Sequence, residues 1–297
     1  MATTGPFSAD NSATTATIQP PSGQISKAKD IAQYGVATID KNSSVYQAIA
    51  LMVKKNVTGL PVVDASGLVG IISEKDVLKL LYETEFVEGC VGDYMTADIF
   101  TFDEEDDLAD ICRCLIEKNF RRVPVLRQGR LAGIISRADL IKANKDKFRP
   151  AGARDVSPAG PNLALAKHVM HCGLLTVRTS TPVYEAMDIL ATRNITGLPV
   201  VDDFLNLIGI VSEKDVLMLL YNLDAKPGLV QDYMTTNVVS FEQGSSLFEI
   251  CDCLINNNFR RVTILDKGKL VGIISRTDIM AYIMKNRSRF FSQKLKS

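Results

Sequence analysis

The sequence has no surplus of either charge: 34 Lys plus Arg stand against 34 Asp plus Glu in 297 residues. Binding nucleic acid without regard to sequence draws on a basic excess that displaces counterions, so that footprint is missing, although a local basic patch is not excluded. Long apolar runs are missing too. The richest stretches, such as Leu68-Val69 and Ile71-Ile72 around Gly70, have the length of a strand, far short of the ~18 residues that a membrane span needs. Residues 1–28 are rich in Ala, Thr, Ser and Pro and carry neither the basic nor the apolar region of a signal peptide. Such a stretch cannot bury enough surface to offset its ordering entropy, so a disordered tail is expected there.

Histidine is scarce. His168 and His171 are the only two, close together in the chain, and no Ser-His-Asp arrangement can be drawn from them. Neither G-x-x-x-x-G-K-[ST] nor H-E-x-x-H occurs. Six cysteines in a chain of this length do not make a disulfide framework and fit a reduced, cytoplasmic compartment. Cys112 and Cys114, like Cys251 and Cys253, are two apart on expected helices, about 200° around the axis, so neither pair can grip one metal from its own helix. Core filling is the expectation for them. The group His168, His171 and Cys172 leaves a metal site open as the weaker alternative.

What is present is repetition. TGLPVVD at 58–64 returns at 196–202, and SEKDVL at 73–78 returns at 212–217. NFRRV at 119–123 returns at 258–262, and GIISR at 133–137 returns at 272–276. The offset is about 138 residues throughout, which marks a duplication. Each half repeats again, more faintly: every unit closes on G-I-[IV]-S-x-x-D, at Gly70 to Asp76, Gly133 to Asp139, Gly209 to Asp215 and Gly272 to Asp278. Period and punctuation read as β-α-β-β-α in each unit. An opening strand (36–40 in the first) leads to a helix capped by Ser43 or Ser44, with Val45, Ile49, Met52 and Val53 at helical spacing. Then come a strand after Gly59, a turn at Ser66-Gly67, a second strand and a closing helix. A three-stranded sheet with helices on one face is marginal alone, so the units should pack in pairs.

Two features carry candidate chemistry. The S-x-x-D ends can be read in two ways: as acceptors for sugar hydroxyls, with a phosphate near the helix N-terminus, or as capping boxes that satisfy the helix's own amides. The pairs Arg121-Arg122 and Arg260-Arg261 lead into strands, where neighbouring side chains point to opposite faces.

These motifs, four times in register over roughly residues 30–285, resemble the CBS domain family. In that family two motifs pack into a Bateman module with pseudo-twofold symmetry, and the four-motif arrangement resembles the gamma subunit of AMP-activated kinase. The resemblance implies an α/β fold with a tail at 1–28, module 1 at 29–147 (units about 30–84 and 93–146), a linker at 148–162, module 2 at 163–287 (units about 167–223 and 232–286) and a basic C-terminal tail at 288–297. Each module is expected to fold alone. The resemblance also implies adenosyl ligands: AMP, ADP, ATP, NAD or S-adenosylmethionine. The ribose contacts would be Asp76, Asp139, Asp215 and Asp278 with Ser73, Ser136, Ser212 and Ser275. Phosphate would fall to the two Arg pairs, and adenine to Thr38, Val57, Thr58 and Ile134 in one module and to Thr176, Ile195, Thr196 and Ile273 in the other. Phe120 and Phe259 would crowd the Asp76 and Asp215 pockets, so the Asp278 and Asp139 pockets are expected to bind first, and Asp278 tighter, because its opening strand keeps the Met170 entry that the first unit lacks. Thr263, at the position that Pro124 holds in the second unit, and the missing Met-Thr before Thr38 mark drift.

The expected function is regulatory and non-catalytic, with no required cofactor: a nucleotide is sensed and its level relayed to an unnamed regulated protein. The alternative is a structural or oligomeric interaction module with vestigial pockets. Tail, linker and repeats occupy this chain and leave no room in it for a catalytic domain. Helical faces that pair disc-like are expected, within one chain or in a homodimer, away from any membrane.

Overall fold

A computed structural model describes residues 25–83, 87–149, 164–193, 195–215 and 228–291. The tail expected before residue 25, most of the linker and residues 292–297 lie outside the described residues. The first unit contains β2 (Ile39–Asp40), α1 (Val45–Lys55), β3 (Gly59–Asp64), β4 (Gly67–Ser73) and α2 (Glu74–Glu83). The short β1 (Gln33–Tyr34) precedes it. The second contains α3 (Val91–Tyr94), β5 (Phe102–Asp103), α4 (Leu108–Glu117), β6 (Arg122–Arg127), β7 (Arg130–Ser136) and α5 (Arg137–Asn144). The third contains α6 (Val183–Thr192), β8 (Gly197–Val201), β9 (Leu207–Ser212) and a helix opening at Glu213. The fourth contains α7 (Val230–Tyr233), β10 (Ser240–Glu242), α8 (Leu247–Asn256), β11 (Arg261–Asp266), β12 (Lys269–Ser275) and α9 (Arg276–Lys285), after which comes α10 (Arg287–Phe291).

Helix α1 shows why these segments fold locally. Ser44 Oγ accepts the Gln47 N–H at 3.2 Å while Gln47 Oε1 accepts the Ser44 N–H at 2.9 Å, a complete capping box. Val45, Ala48, Ile49 and Met52 form its buried stripe. It stops at Asn56, whose φ of 51° is left-handed; Asn119 and Asn258 end α4 and α8 in the same way. The strand after each helix pairs parallel with the opening strand and antiparallel with its own hairpin partner, as in Ile39↔Val62 and Leu60↔Ile72. In the third unit the opening strand shrinks to one parallel bridge, Val177↔Val200.

The expected three-stranded sheet is completed by its neighbour. The segment leading into each unit runs antiparallel along the sheet edge of the paired unit: β1 on β7, Thr96 on Ile71, His171 on Ile273 and Thr235 on Ile210. Exposed edges are thereby covered by mutual exchange. The Gly of each G-I-[IV]-S run makes room. A Cβ at Gly272 would stand 2.7 Å from Met170 Sδ, and one at Gly133 would stand 2.8 Å from the Gln33 carbonyl oxygen. The missing methionine of the first unit is thus replaced by backbone at close range.

The modules meet through helices. Units two and four pack α4 and α5 against α8 and α9, and one continuous core runs through Leu115, Leu140, Ile141, Leu254, Ile279 and Ile283. Among the described residues, units one and three form cores of their own, around Ile49 and Leu60 and around Leu190 and Leu198, and α2 packs on α6 across the module boundary. Two modules each expected to fold alone therefore share a core that the cut between them would expose. The segment read as the start of a C-terminal tail is the helix α10, anchored by Phe290, which is 1% exposed and stacks on Phe148 at 4.9 Å. Two adjacent phenylalanines among basic residues show no period in sequence, and a partner from the other module supplies the reason to fold. Residues 25–28 also belong to the folded body: Ala28 is buried, and Lys27 bonds Asp107 at 2.8 Å.

Candidate functional site

The G-I-[IV]-S strands end at the middle of the molecule, and their helices begin there. All four S-x-x-D ends form capping boxes. Oδ2 of Asp76, Asp139, Asp215 and Asp278 accepts the backbone N–H of Ser73, Ser136, Ser212 and Ser275 at 2.7–2.8 Å. The same oxygen accepts each serine hydroxyl at 2.6–2.7 Å. The two readings of this motif are therefore compatible, because the cap engages one carboxylate oxygen and, among the described residues, the other has no hydrogen bond. Burial pushes the Asp139 carboxyl above its ordinary value, against the pull of the Ser136 hydrogen bonds.

The arginine pairs divide as strand alternation requires. Arg122 turns into its own module, donating from Nη1 to the Gly59 carbonyl at 2.9 Å and from Nη2 to Thr58 Oγ1. Arg261 does the same with the Gly197 carbonyl at 3.0 Å. A Cβ at Gly197 would lie 2.7 Å from Arg261 Nη1, so the small turn is what lets the guanidinium in. Arg121 and Arg260 turn instead to the opposite module. Arg121 Nη2 donates to both carboxylate oxygens of Glu213 at 2.9 and 2.7 Å, and Arg260 Nη2 donates to Glu74 Oε2 at 2.7 Å. Burial first, then the adjacent arginine of its own pair, lowers the Arg122 and Arg261 guanidinium pKa values to about 10. Both stay charged at neutral pH. Neither has a carboxylate partner among the described residues.

A cavity of about 1410 Å³ joins these parts. Its wall holds both arginine pairs, Ser136 with Asp139, Ser212 with Asp215, and Ser275 with Asp278. Val57, Thr58, Ile134, Ile195, Thr196 and Ile273 also line it. Ser73, Asp76, Thr38 and Thr176 lie outside that lining; the lead-in residues Val36-Ala37 and Leu174-Leu175 face it in place of the two threonines. Phe259 is on the wall, whereas Phe120 stacks on Phe100 at 5.5 Å. Thr263 is fully buried, and its hydroxyl pairs with Ser240 Oγ at 2.7 Å, so its polar group is satisfied.

Four residues of this centre were missed from sequence: Glu74, Glu213, Arg137 and Arg276. The arginines hold helix ends, with Arg137 Nη2 on the Leu115 carbonyl at 3.0 Å and Arg276 Nη2 on the Leu254 carbonyl at 3.1 Å. The available signal was alternation inside the motif: S-E-K-D in units one and three, S-R-x-D in units two and four. The cysteines fill cores: Cys112 and Cys251 are buried, and burial pushes their thiols up to about 12. His168 Nδ1 accepts the Leu165 N–H at 3.3 Å, His171 lies on the cavity wall and Cys172 is exposed. Among the described residues no three His, Cys, Asp or Glu are placed to hold a metal, and no helix is long and apolar enough to cross a membrane.

Paired β-α-β-β-α units exchanging their lead-in strands around a central cavity define a class. The chain belongs to the CBS domain family, which matches residues 28–83, 91–146, 166–222 and 230–285. Among its relatives, the uncharacterized protein MJ1225 of Methanocaldococcus jannaschii is 31% identical over 195 residues, covering 64% of this chain and 68% of that one. The crystal structure of MJ1225, a protein proposed to be an archaeal homologue of the AMP-activated kinase gamma subunit, superposes with a TM-score of 0.77 at 19% identity, over 86% of this chain and 99% of that one. The inosine-5'-monophosphate dehydrogenase of Aquifex aeolicus is 35% identical over 108 residues, which span 36% of this chain and 22% of the enzyme.

Proposed function

We propose that this protein is a non-catalytic regulator that binds adenine nucleotides or other adenosyl ligands in its central cavity and relays their level to a partner protein. One observation carries the reading: Arg122 and Arg261 are half-buried beside Thr58-Gly59 and Gly197, charged and, among the described residues, without a carboxylate partner. Burying a guanidinium is costly unless an anion answers it. Beside them stand the free oxygens of Asp139 and Asp278, acceptors suited to a ribose diol, and apolar walls at Ile134 and Ile273 suited to a base. Adenosyl phosphates combine these three demands. A ligand that prefers one relation of the two modules over another would shift their packing, and the partner would read that shift.

The test is calorimetry and thermal melting with AMP, ADP, ATP, NAD and S-adenosylmethionine, with GMP and CMP as controls. Saturable binding of at least one adenosyl compound, with guanine and pyrimidine nucleotides much weaker, is expected. Absence of heat and of any melting shift with all five adenosyl compounds would overturn the reading and leave the interaction-module alternative.

A further inference from the structure

Two buried acids have no role in that reading. Glu74 and Glu213 are each 3% exposed, and each opens the helix after an S-x-x-D serine. Each reaches across to the opposite module. Glu74 holds Arg260 Nη2, while Glu213 grips Arg121 Nη2 and lies 3.6 Å from Arg260 Nη1. The remaining arms, Arg121 Nη1 and Arg260 Nη1, are buried and have no hydrogen bond among the described residues. Arg121 is thus divided: Nη2 carries a carboxylate from the other module, and Nη1 remains for a second anion. Arg260 Nη2 likewise carries Glu74 from the other module, and its Nη1 faces Glu213 of its own module at 3.6 Å, beyond hydrogen-bond distance. The charges at the centre are unequal. Among the described residues Glu74 and Glu213 form ion pairs with Arg121 and Arg260, whereas Arg122 and Arg261 have no ion pair.

A ligand held at Asp139 or Asp278 by its ribose extends its phosphates toward these arginines. A monophosphate brings roughly two negative charges at neutral pH, enough to complete the balance. Every further phosphate adds negative charge close to Glu74 and Glu213, where burial leaves like charges poorly screened.

We propose that Glu74 and Glu213 are specificity-determining residues. As built-in anions they occupy Arg121 and Arg260, two of the four central arginines, and set the cavity for a short phosphate chain over a long one. Because each glutamate comes from the opposite module, each module sets the selectivity of the other. The inference rests on the adenine-nucleotide reading above.

The full-length chain and its Glu74→Gln and Glu213→Gln variants are titrated with adenosine, AMP and ATP. Glutamine keeps the shape and one acceptor oxygen, removes the charge and turns the other oxygen into a donor. The wild-type chain is expected to bind AMP more tightly than ATP. Each substitution should move the AMP-to-ATP preference toward ATP by about tenfold and leave adenosine unchanged. An unchanged preference, or a wild-type preference for ATP, would overturn the inference while the functional reading stands. If no adenine compound binds, that reading fails, and inorganic anions decide: phosphate should raise the wild-type melting midpoint more than triphosphate at equal concentration, and the reverse order overturns the proposal. The same wild-type comparison decides it if a variant does not fold.

Discussion

Units two and four share the β-α-β-β-α order with units one and three, yet they sit in the molecule differently. The second and fourth share one core, closed at its end by Phe148, Tyr282 and Phe290. Among the described residues the first and third form cores of their own, and across the boundary between modules α2 packs on α6 and Lys214 Nζ donates to Asn56 Oδ1 at 2.9 Å. The chemistry divides along the same line. Units two and four bring the arginines to the centre, and units one and three bring the glutamates. Duplication fixed the fold of each unit, and later divergence at a few positions made one pair the structural clasp and the source of cations, the other the source of counter-charges.

The largest expected effect comes from breaking the clasp. Residues 25–149 and 164–291, made as separate chains, should be unstable alone and form a 1:1 complex on mixing, as read by light scattering. Two folded, monodisperse halves that ignore each other would break the comparison. Within the intact chain, Phe290→Ala should cost about 3–5 kcal/mol, the range for deleting a buried aromatic. It should lower the melting of both modules together. Met52→Ala, 1% exposed in the first unit's own core, should cost about 2–5 kcal/mol and melt that unit ahead of the shared core in calorimetry.

At the site, Asp278→Ala should weaken the tightest nucleotide site about ten- to hundredfold, the loss of a charged hydrogen-bond partner. Asp76→Ala, whose carboxylate lies outside the cavity lining, should leave that site nearly unchanged. Equal losses in titration would show that the two classes of unit do not differ as binding sites. A smaller contrast separates the lead-in segments. Gly133→Ala meets the Gln33 backbone, which cannot swing aside, whereas Gly272→Ala meets the flexible Met170 side chain. Overpacking costs about 1–3 kcal/mol, and the first substitution should lie at the upper end and the second at the lower in denaturant melts.

The smallest effect leaves stability untouched. Thiol labelling at pH 8 should modify exposed Cys172 first. Cys112 and Cys251 should stay unlabelled until the protein unfolds, because thiols raised to about 12 are almost wholly protonated four pH units lower and gain reactivity only as pH climbs toward 12. Rapid labelling of all six in the native state would contradict the cores drawn here.

By itself the sequence determined the unit. The 3.6-residue stripe of α1, a serine cap at Ser43 or Ser44, the Gly-broken hairpins and the S-x-x-D ends are local devices. Their partners lie within a few residues, so spacing alone reveals them. It also determined that Arg121 and Arg122 must part, because alternation along a strand is a property of the backbone. Only the tertiary structure decided what each arginine meets. Glu213 is 92 residues from Arg121, and Glu74 is 186 from Arg260, and no periodicity links residues so far apart. The same distance hid α10: Phe290 finds Phe148 across the modules, and its burial there, not any local propensity, makes that short basic segment a helix.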